Sequence, residues 1–449
     1  MNRYMQNFLL ILLLIINHNA IATMPRLDFT LHKIESGLAG PTVLVIGGIQ
    51  GDEPGGFNAA ALLTTDYKIK SGNLWVVPNL NFESIIKRSR GVYGDMNRKF
   101  LHINESDPEY TAIQKIKSIL REEQVDLILN LHDGSGFYRK EYIDRLHNPD
   151  RWGQSIIIDQ AALDSGNYGN LNNIANKLRD AVNRKLTEVD HYYEVKNTRT
   201  REGDKEMEKT LTYFAIQNNK PAFGLEVSKQ FSTHERVYYH LVVVEEFLAH
   251  LGIEFERGFQ LNKRSVKKAI DDDIKLSLYD SKIILDIAKA RSKLSYVPMK
   301  KDSPVDFVAN SPLIAIVNDN DKYKISYGNR ELTRLFPEYL EYDFSLEKVR
   351  LMVDGEMQNI PIGSVINVQD KFLVEPLDGY RVNVIGYRKS GVFNEMGIMI
   401  QKSDISRQYS IDQDENIFRV EFYREKKFCG MLLMNFENKT ISSLSFNAQ

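Results

Sequence analysis

The segment over residues 43–56 constrains the fold of this chain more than any other. Its sequence is VLVIGGIQGDEPGG, in which an apolar strand over 43–49 runs into glycines and then into Pro54. A proline followed by small residues suits the start of a helix. The segment therefore predicts a buried strand, a turn and a helix over about 54–64, which is a building block of α/β folds.

Two polar side chains, Gln50 and Glu53, lie three residues apart after this strand. Residues with this spacing on a first helical turn share one face, so both oxygens can point at one ion. A later apolar strand over 125–131 is followed by His132 and by Asp-Gly-Ser-Gly. Three ligands from two strand ends, with room left for water, predict a catalytic zinc site rather than a closed structural one. The alternative is a helix-start glutamate favoured by the helix dipole and an unrelated core histidine.

Strands and helices alternate through residues 23–255. Strands are predicted at 43–49, 74–77, 125–131 and 222–227, and helices at about 54–64, 109–123, 170–187 and 233–251. This order predicts an α/β domain with a mostly parallel or mixed sheet and helices on both faces. Ligands of such sheets gather at the carboxyl ends of the strands, where Gln50, Glu53, His132 and Glu226 all lie.

The sequence changes in character after about residue 256. Charged residues over 263–268 and 271–273 predict a solvated connector. Short alternating segments and polar turns follow, which indicate small antiparallel β modules. We therefore predict a catalytic domain over 23–255 and two β-rich accessory domains over 256–345 and 346–449. All nine histidines lie at or before His250, so chemistry that needs a borderline-soft metal belongs to the first domain.

Residues 1–22 have the features of a secretory signal peptide. Arg3 precedes an unbroken apolar run over 8–16, which is too short to span a bilayer, and residues 20–22 offer a small-residue cleavage site. An uncleaved membrane anchor is the alternative. The single cysteine, Cys429, excludes an intramolecular disulfide, and the formal net charge of −2 argues against nucleic acid as a partner.

Arg90, Asn97 and Arg98 lie close together in the sequence. Because guanidinium pairs with carboxylates in a bidentate geometry, the three suit recognition of a carboxylate. Arg90 could instead polarise a carbonyl oxygen. The alternative is a solvated basic loop formed with Lys87 and Arg88.

Glu226 lies inside the apolar strand over 222–227. An unpaired buried charge is costly, so a carboxylate there needs a partner or a catalytic task. One interpretation is a structural salt bridge to an arginine. The other is a general base beside a metal-activated water.

Four segments, taken in order, resemble the zinc carboxypeptidases of the carboxypeptidase A superfamily over residues 40–230. The first segment is GGIQGDEP at 47–54, and the second is Arg90 followed by DMNRKF at 95–100. The third is LHD at 131–133, and the fourth is the strand that contains Glu226. With its signal peptide and β-rich tail, the whole chain resembles the cell-shape-determining peptidoglycan DL-carboxypeptidases of helical Gram-negative bacteria, which also have glutamine as first ligand. The resemblance implies one zinc ion and the following site residues: Gln50, Glu53 and His132 as ligands, Glu226 as general base, Arg90 at the oxyanion, and Asn97 and Arg98 at the terminal carboxylate. Trp152 and Thr212 are further candidates for the substrate pocket.

The activity implied by the resemblance is periplasmic hydrolysis of the C-terminal amide of peptidoglycan stem peptides, from tripeptide to dipeptide, with release of meso-diaminopimelate. An amino-acid deacylase of the succinylglutamate desuccinylase type is one alternative, although its substrates are cytosolic. The other is a non-catalytic wall-binding protein in which Gln50 marks a lost metal site, although Glu53, His132, Arg98 and Glu226 are all retained. The superfamily usually has histidine in place of Gln50. An amide oxygen is a poorer zinc donor, so the resemblance predicts weaker metal retention. The oligomeric state stays open.

Overall fold

The computed structural model describes residues 27–164 and 167–437, so the predicted signal peptide lies outside the described residues. Their α-helices are Pro54–Thr65, Phe82–Ile86, Tyr110–Arg121, Leu171–Lys185, Leu211–Gln217, Thr233–His250 and Lys263–Asp271. Among the described residues, no helix combines the length and apolar character that crossing a bilayer requires.

A seven-stranded sheet forms the centre of the first part of the chain. In spatial order its strands are His32–Glu35, Asn73–Val77, Thr42–Ile46, Leu127–Gly134, Ala222–Ser228, Ser155–Ile158 and Glu194–Asn197. The four strands from Asn73–Val77 to Ala222–Ser228 run parallel, whereas His32–Glu35 and Ser155–Ile158 each pair antiparallel with a neighbour from that group. The prediction of a mostly parallel, mixed sheet is confirmed.

Helices cover both faces of this sheet. Side chains alternate between faces along a strand, and the ring of Phe223 packs against Phe247 in the helix Thr233–His250. Glu226 has the opposite parity and lines a pocket with Thr212, which belongs to the helix Leu211–Gln217. The sheet is therefore enclosed between helices, and the pocket opens on the face opposite Phe247.

The charged segment predicted as a solvated connector is instead the helix Lys263–Asp271. Val266 and Ile270 are buried in the core of the first part of the chain. Their four-residue spacing places both on one face of the helix, while the charged side chains occupy the rest. The prediction was wrong because two apolar side chains are enough to anchor a short helix whose average composition is polar.

The rest of the chain forms small β-sheets, as predicted. Their strands are Lys275–Leu278, Ile283–Asp286, Lys293–Lys300, Phe307–Ala309, Ile314–Asp319, Lys322–Tyr327, Arg330–Leu340, Lys348–Val353, Glu356–Pro361, Val365–Asn367, Lys371–Val374, Arg381–Val384, Ile400–Gln401, Ile417–Arg424 and Lys427–Asn435. Most neighbouring pairs are antiparallel. Two pairs are parallel instead: Lys293–Lys300 with Arg330–Leu340, and Val365–Asn367 with Lys427–Asn435.

The strand Lys427–Asn435 contributes to two apolar cores. Met431 and Leu433 pack with residues of the 274–335 region, whereas Leu432 and Met434 pack with residues of the 346–436 region. Alternation along the strand explains this division, because successive side chains point to opposite faces. The last strand thus joins the two β-rich regions, and the domain limits of 256–345 and 346–449 stay predictions.

Candidate active site

Gln50 and Glu53 lie in a turn that precedes the first long helix. That helix begins at Pro54 with Glu53 as its N-cap, so the expectation that both residues occupy a helical turn is wrong. The backbone N–H of Glu53 instead donates to the Gln50 carbonyl at 3.4 Å, and both side chains line one pocket. Gly51 permits this turn, since a Cβ there would lie 2.1 Å from the backbone of Ser84.

Asp95 fixes the orientation of the Gln50 amide. Gln50 is 2% exposed, and its Nε2 donates to Asp95 Oδ1 at 2.7 Å. An ionised carboxylate only accepts hydrogen bonds, so the amide nitrogen must face Asp95. The amide oxygen is thereby left to act as a ligand for a cation in the pocket.

Asp95 also gathers the neighbouring basic residues. It accepts from Arg90 Nε at 3.0 Å and from the backbone N–H of Asn97 at 3.0 Å. Burial would raise the pKa of Asp95, but the Gln50 hydrogen bond and the charges of Arg90 and Arg98 hold this pKa below its usual value. Asp95 begins the DMNRKF motif, and its contacts with Gln50, Arg90 and Asn97 show that it organises this side of the site.

The second and third candidate ligands face each other. His132 Nδ1 lies 2.9 Å from Glu53 Oε2, and His132 Nε2 lies 2.8 Å from Asn130 Nδ2. The buried Asn130 Oδ1 has no hydrogen-bond partner. Rotating this amide by half a turn would let Oδ1 accept from Nε2–H, which leaves the Nδ1 lone pair for a metal. The surroundings of His132 therefore fit a metal ligand.

Glu226 lies directly beside His132, because the two residues are partners in the parallel pairing of their strands. Burial raises the pKa of Glu226 to about 7, and the negative charges of Glu53 and Asp133 act in the same direction. Gly134 leaves room for the carboxylate, since a Cβ there would lie 2.7 Å from Glu226 Oε2. A carboxylate with a raised pKa next to candidate metal ligands has the properties of a general base.

Asp133 connects the strand of His132 to the helix that follows Glu53. Its Oδ2 accepts from the backbone N–H of Gly55 at 2.8 Å and from Arg236 Nη1 at 2.7 Å, and its Oδ1 lies 3.1 Å from His240 Nε2. Gly55 allows this contact, since a Cβ would lie 2.3 Å from Asp133 Oδ1. The sequence analysis assigned no role to Asp133, although its place directly after His132 was a signal.

The structure brings all nine predicted site residues into one pocket with a volume of about 270 Å³. They are Gln50, Glu53, Arg90, Asn97, Arg98, His132, Trp152, Thr212 and Glu226. Asn97 Oδ1 accepts from the backbone N–H of Leu211, which ties the Arg98 region to the helix that carries Thr212. The pocket also contains Lys229, which the sequence analysis did not identify. The roles assigned to these residues stay predictions.

The sheet and the pocket at the carboxyl ends of its strands define a fold of the zinc-carboxypeptidase type. A family model described as the catalytic domain of carboxypeptidases controlling helical cell shape matches residues 5–271. A second model, the C-terminal domain of metallo-carboxypeptidases, matches residues 342–437. The chain belongs to this family of carboxypeptidases that control helical cell shape.

Solved structures of the cell shape determinant protein Csd4 from Helicobacter pylori resemble almost the whole chain. The apo form is 38% identical, with a TM-score of 0.84 over 91% of this chain and 100% of Csd4. The mDAP-bound form, described as a D,L-carboxypeptidase, is 38% identical, with a TM-score of 0.84 over 90% and 99% of the two chains. The tripeptide-bound form is 38% identical, with a TM-score of 0.83 over 91% and 100%. No protein with a curated description matches the chain. The predicted family, fold class and enzyme class are confirmed.

Proposed function

We propose that this protein is a zinc-dependent peptidoglycan carboxypeptidase that trims stem tripeptides to dipeptides, releases meso-diaminopimelate and contributes to cell shape. The observation that carries the proposal is the meeting, in one pocket, of a Gln–Glu–His donor set, a buried glutamate and cationic groups suited to a terminal carboxylate. Csd4, described as a D,L-carboxypeptidase and solved with mDAP and with a tripeptide, supports the same substrate class. We further propose that the protein acts in the periplasm after removal of residues 1–22.

Gln50, Glu53 and His132 would hold the zinc ion. Together they offer an amide oxygen, a carboxylate oxygen and an imidazole nitrogen. All three can coordinate one divalent cation, and only the carboxylate carries a negative charge. Asp95 and Asn130 support this assignment, since they engage the amide nitrogen of Gln50 and Nε2 of His132. Zinc bound there would supply Lewis-acid polarisation of the scissile carbonyl and acidify the attacking water.

The remaining residues position the substrate and move protons. Glu226 accepts the proton of the attacking water and then delivers it to the leaving amine. Arg90 stabilises the negative charge that develops on the carbonyl oxygen. Asn97 and Arg98 bind the terminal carboxylate, while Trp152 and Thr212 contact the terminal residue. Recognition of a free carboxylate explains removal of one residue from the chain end rather than cleavage within the chain.

The test is digestion of purified muropeptides by the mature protein, with and without a chelator, followed by mass spectrometry. We expect chelator-sensitive loss of diaminopimelate from tripeptides, restored by added zinc. No cleavage by zinc-loaded protein would exclude muropeptides as the substrate. Neither cleavage nor zinc binding would instead favour a non-catalytic wall-binding protein.

Replacing Gln50 with histidine should tighten zinc binding. An imidazole nitrogen is a stronger donor to zinc than a neutral amide oxygen, so we expect the dissociation constant to fall by about tenfold or more. The measurement is competition with a chelator of known affinity. Gln114→His adds an imidazole on an exposed helix position outside the pocket and should change nothing. An unchanged dissociation constant in Gln50→His would contradict the role of Gln50 as a ligand.

Removing the guanidinium of Arg98 should weaken substrate binding more than turnover. Loss of a hydrogen bond to a charged group costs about 10- to 100-fold, so in Arg98→Ala we expect kcat/KM to fall by this factor, mainly through a higher KM. Arg88 is the matched control, because it lies outside the pocket and donates to the Asn329 carbonyl. Wild-type kinetics in Arg98→Ala would exclude Arg98 from carboxylate recognition.

A further inference from the structure

A second cavity lies between the 101–105 loop and the helix Tyr110–Arg121. It has a volume of about 550 Å³, and it is lined by that loop and by Tyr110, Gln114 and Lys117. These three residues are four and three positions apart, so they occupy one face of the helix. The residues assigned above to the reaction line the other pocket. The second cavity therefore has no role in the proposed hydrolysis.

Lys117 is the most buried residue that lines the second cavity. It is 8% exposed, whereas the loop residues around it are partly or largely exposed. Its Nζ makes no hydrogen bond or ion pair with the described part of the chain, and it lies 5.0 Å from the centre of the Phe214 ring. Burial and the charge of Arg121 lower the pKa of Lys117. An anion in the cavity would act in the opposite direction, because it favours the charged form.

The Phe214 ring is shared between two cations. An aromatic face attracts a cation, but the guanidinium of Arg121 lies over the same ring, with Cζ 4.8 Å from its centre. Arg121 also has a polar partner, since its Nε donates to Asn218 Oδ1 at 3.0 Å. Lys117 has none, and a buried charge without a partner is costly. These contacts point to an anion that comes from outside the chain.

The lining of the second cavity favours a carboxylate over a phosphate. Among its described residues, Lys117 supplies the only fixed positive charge, and Glu105 supplies a negative one. One ammonium balances a single negative charge, whereas Glu105 would repel a second. Gln114 adds amide N–H donors, and Ile103 adds apolar surface for the carbon skeleton of an organic acid.

We propose that the second cavity binds an organic carboxylate, with Lys117 as its counter-ion. Leu101 lines this cavity and Arg98 lines the active-site pocket. Three residues span at most about 11 Å between Cα atoms, so the two sites lie close enough for one polymer to occupy both through neighbouring stem peptides. A free small carboxylate is the other source of the same chemistry. The site is independent of the zinc chemistry, whereas its use on the polymer rests on the proposed function.

The first test is a binding titration followed by NMR on protein labelled with ¹³C at the lysine Cε atoms. The Lys117 signal is the one that disappears in Lys117→Met. N-acetyl-L-alanyl-D-glutamate should shift this signal in a saturable manner, while the corresponding diamide, which has no carboxylate, should bind at least about tenfold more weakly. Arg98→Ala should leave the dissociation constant read from this signal unchanged. No saturable shift, or equal binding of acid and diamide, would overturn the inference, and tighter binding of inorganic phosphate would overturn the choice of a carboxylate.

Lys117→Met separates binding from a purely structural role. The substitution removes a buried charge that has no partner, so the midpoint of urea denaturation should stay the same or rise. Cleavage of soluble tripeptide should keep its wild-type kcat/KM. Lys115→Met is the matched control, because Lys115 lies on the same helix outside both cavities and donates to the Phe29 carbonyl. A lower midpoint in Lys117→Met, together with no carboxylate binding in wild type, would assign Lys117 a structural contact with Phe214 instead.

Release of diaminopimelate from intact peptidoglycan sacculi distinguishes the two sources of the carboxylate. If a second stem peptide occupies the cavity, Lys117→Met should slow release from sacculi by about tenfold or more, since a second attachment point raises the effective affinity for a polymer. Equal release by wild type and Lys117→Met, with the NMR binding intact, would assign the site to a free carboxylate. Failure of wild-type protein to cleave any peptide would remove the proposed function, and the NMR titration would still decide whether the site exists.

Discussion

Glu226→Gln should lower kcat by about 10²- to 10⁴-fold while zinc and peptide binding stay nearly unchanged. Glutamine has almost the same shape as glutamate but cannot take a proton from water. Glu226 is the strand partner of His132, and burial together with the charges of Glu53 and Asp133 raises its pKa to about 7. Single-turnover rates and peptide affinity, measured separately on muropeptide tripeptides, distinguish loss of chemistry from loss of binding.

Glu421→Gln is the matched control for this substitution. Glu421 is also a buried strand glutamate whose pKa is raised by burial, but it lies in the strand Ile417–Arg424, outside the pocket. We expect its activity to equal that of wild type. Full turnover by Glu226→Gln would eliminate Glu226 as the base, whereas equal losses in both variants would indicate a folding defect instead.

The pH dependence of the wild-type enzyme follows from the same residue. A general base acts in its deprotonated form, so kcat/KM should fall as the pH is lowered through the pKa of Glu226. Burial raises that pKa above the ordinary glutamate value. The decline should therefore begin at a higher pH than for an exposed glutamate, although zinc on the neighbouring ligands would reduce the difference. A flat kcat/KM across the acid range would contradict a titrating base.

The catalytic fold was accessible from the sequence because its strands are apolar runs with helices between them. The strands Thr42–Ile46, Leu127–Gly134 and Ala222–Ser228 correspond to predicted segments. The antiparallel strand Ser155–Ile158 was not predicted, since a four-residue apolar run does not reveal its structure by periodicity. Its place beside Ala222–Ser228 depends on tertiary pairing.

The residues that face the substrate were predictable for a different reason. Gln50, His132 and Glu226 follow or occupy apolar strands, and parallel strands bring their carboxyl ends to one edge. Their supporting contacts were not predictable, because these join distant parts of the chain. Arg236 reaches Asp133 across 103 positions, and Lys229 reaches Asp52 across 177. Only the folded geometry determines which polar side chain lies close enough to donate.

Asp133→Asn should cause the largest loss of stability among the variants considered, because it leaves a mostly buried guanidinium without its anion. The carboxylate of Asp133 is fully buried, the Arg236 side chain is 13% exposed, and the two are 2.7 Å apart. Removing one partner of a buried ion pair costs roughly 3–5 kcal/mol of the free energy of unfolding. The two tryptophans, Trp75 and Trp152, both lie in the first part of the chain, so their fluorescence during urea denaturation reports on that part.

A double-mutant cycle with Arg236→Met isolates the pair. The double variant should lose less stability than the sum of the two single variants, because it contains no unpaired buried charge. Asp180→Asn, at a largely exposed aspartate, should change the free energy of unfolding by at most about 0.5 kcal/mol. If the losses of unfolding free energy in the two single variants simply added up in the double variant, Asp133 and Arg236 would have no coupling free energy.

The pH dependence of this effect has a definite sign. Burial would raise the pKa of Asp133, but the His240 hydrogen bond and the charge of Arg236 hold the pKa below its usual value. The stabilisation is therefore complete above the pKa of an unfolded aspartate, and it is lost as the pH falls through the lower native pKa. The difference in unfolding free energy between wild type and Asp133→Asn should shrink in acid. A difference that persists unchanged would mean that packing, rather than the Asp133 charge, holds the His132 strand against the start of the Pro54–Thr65 helix.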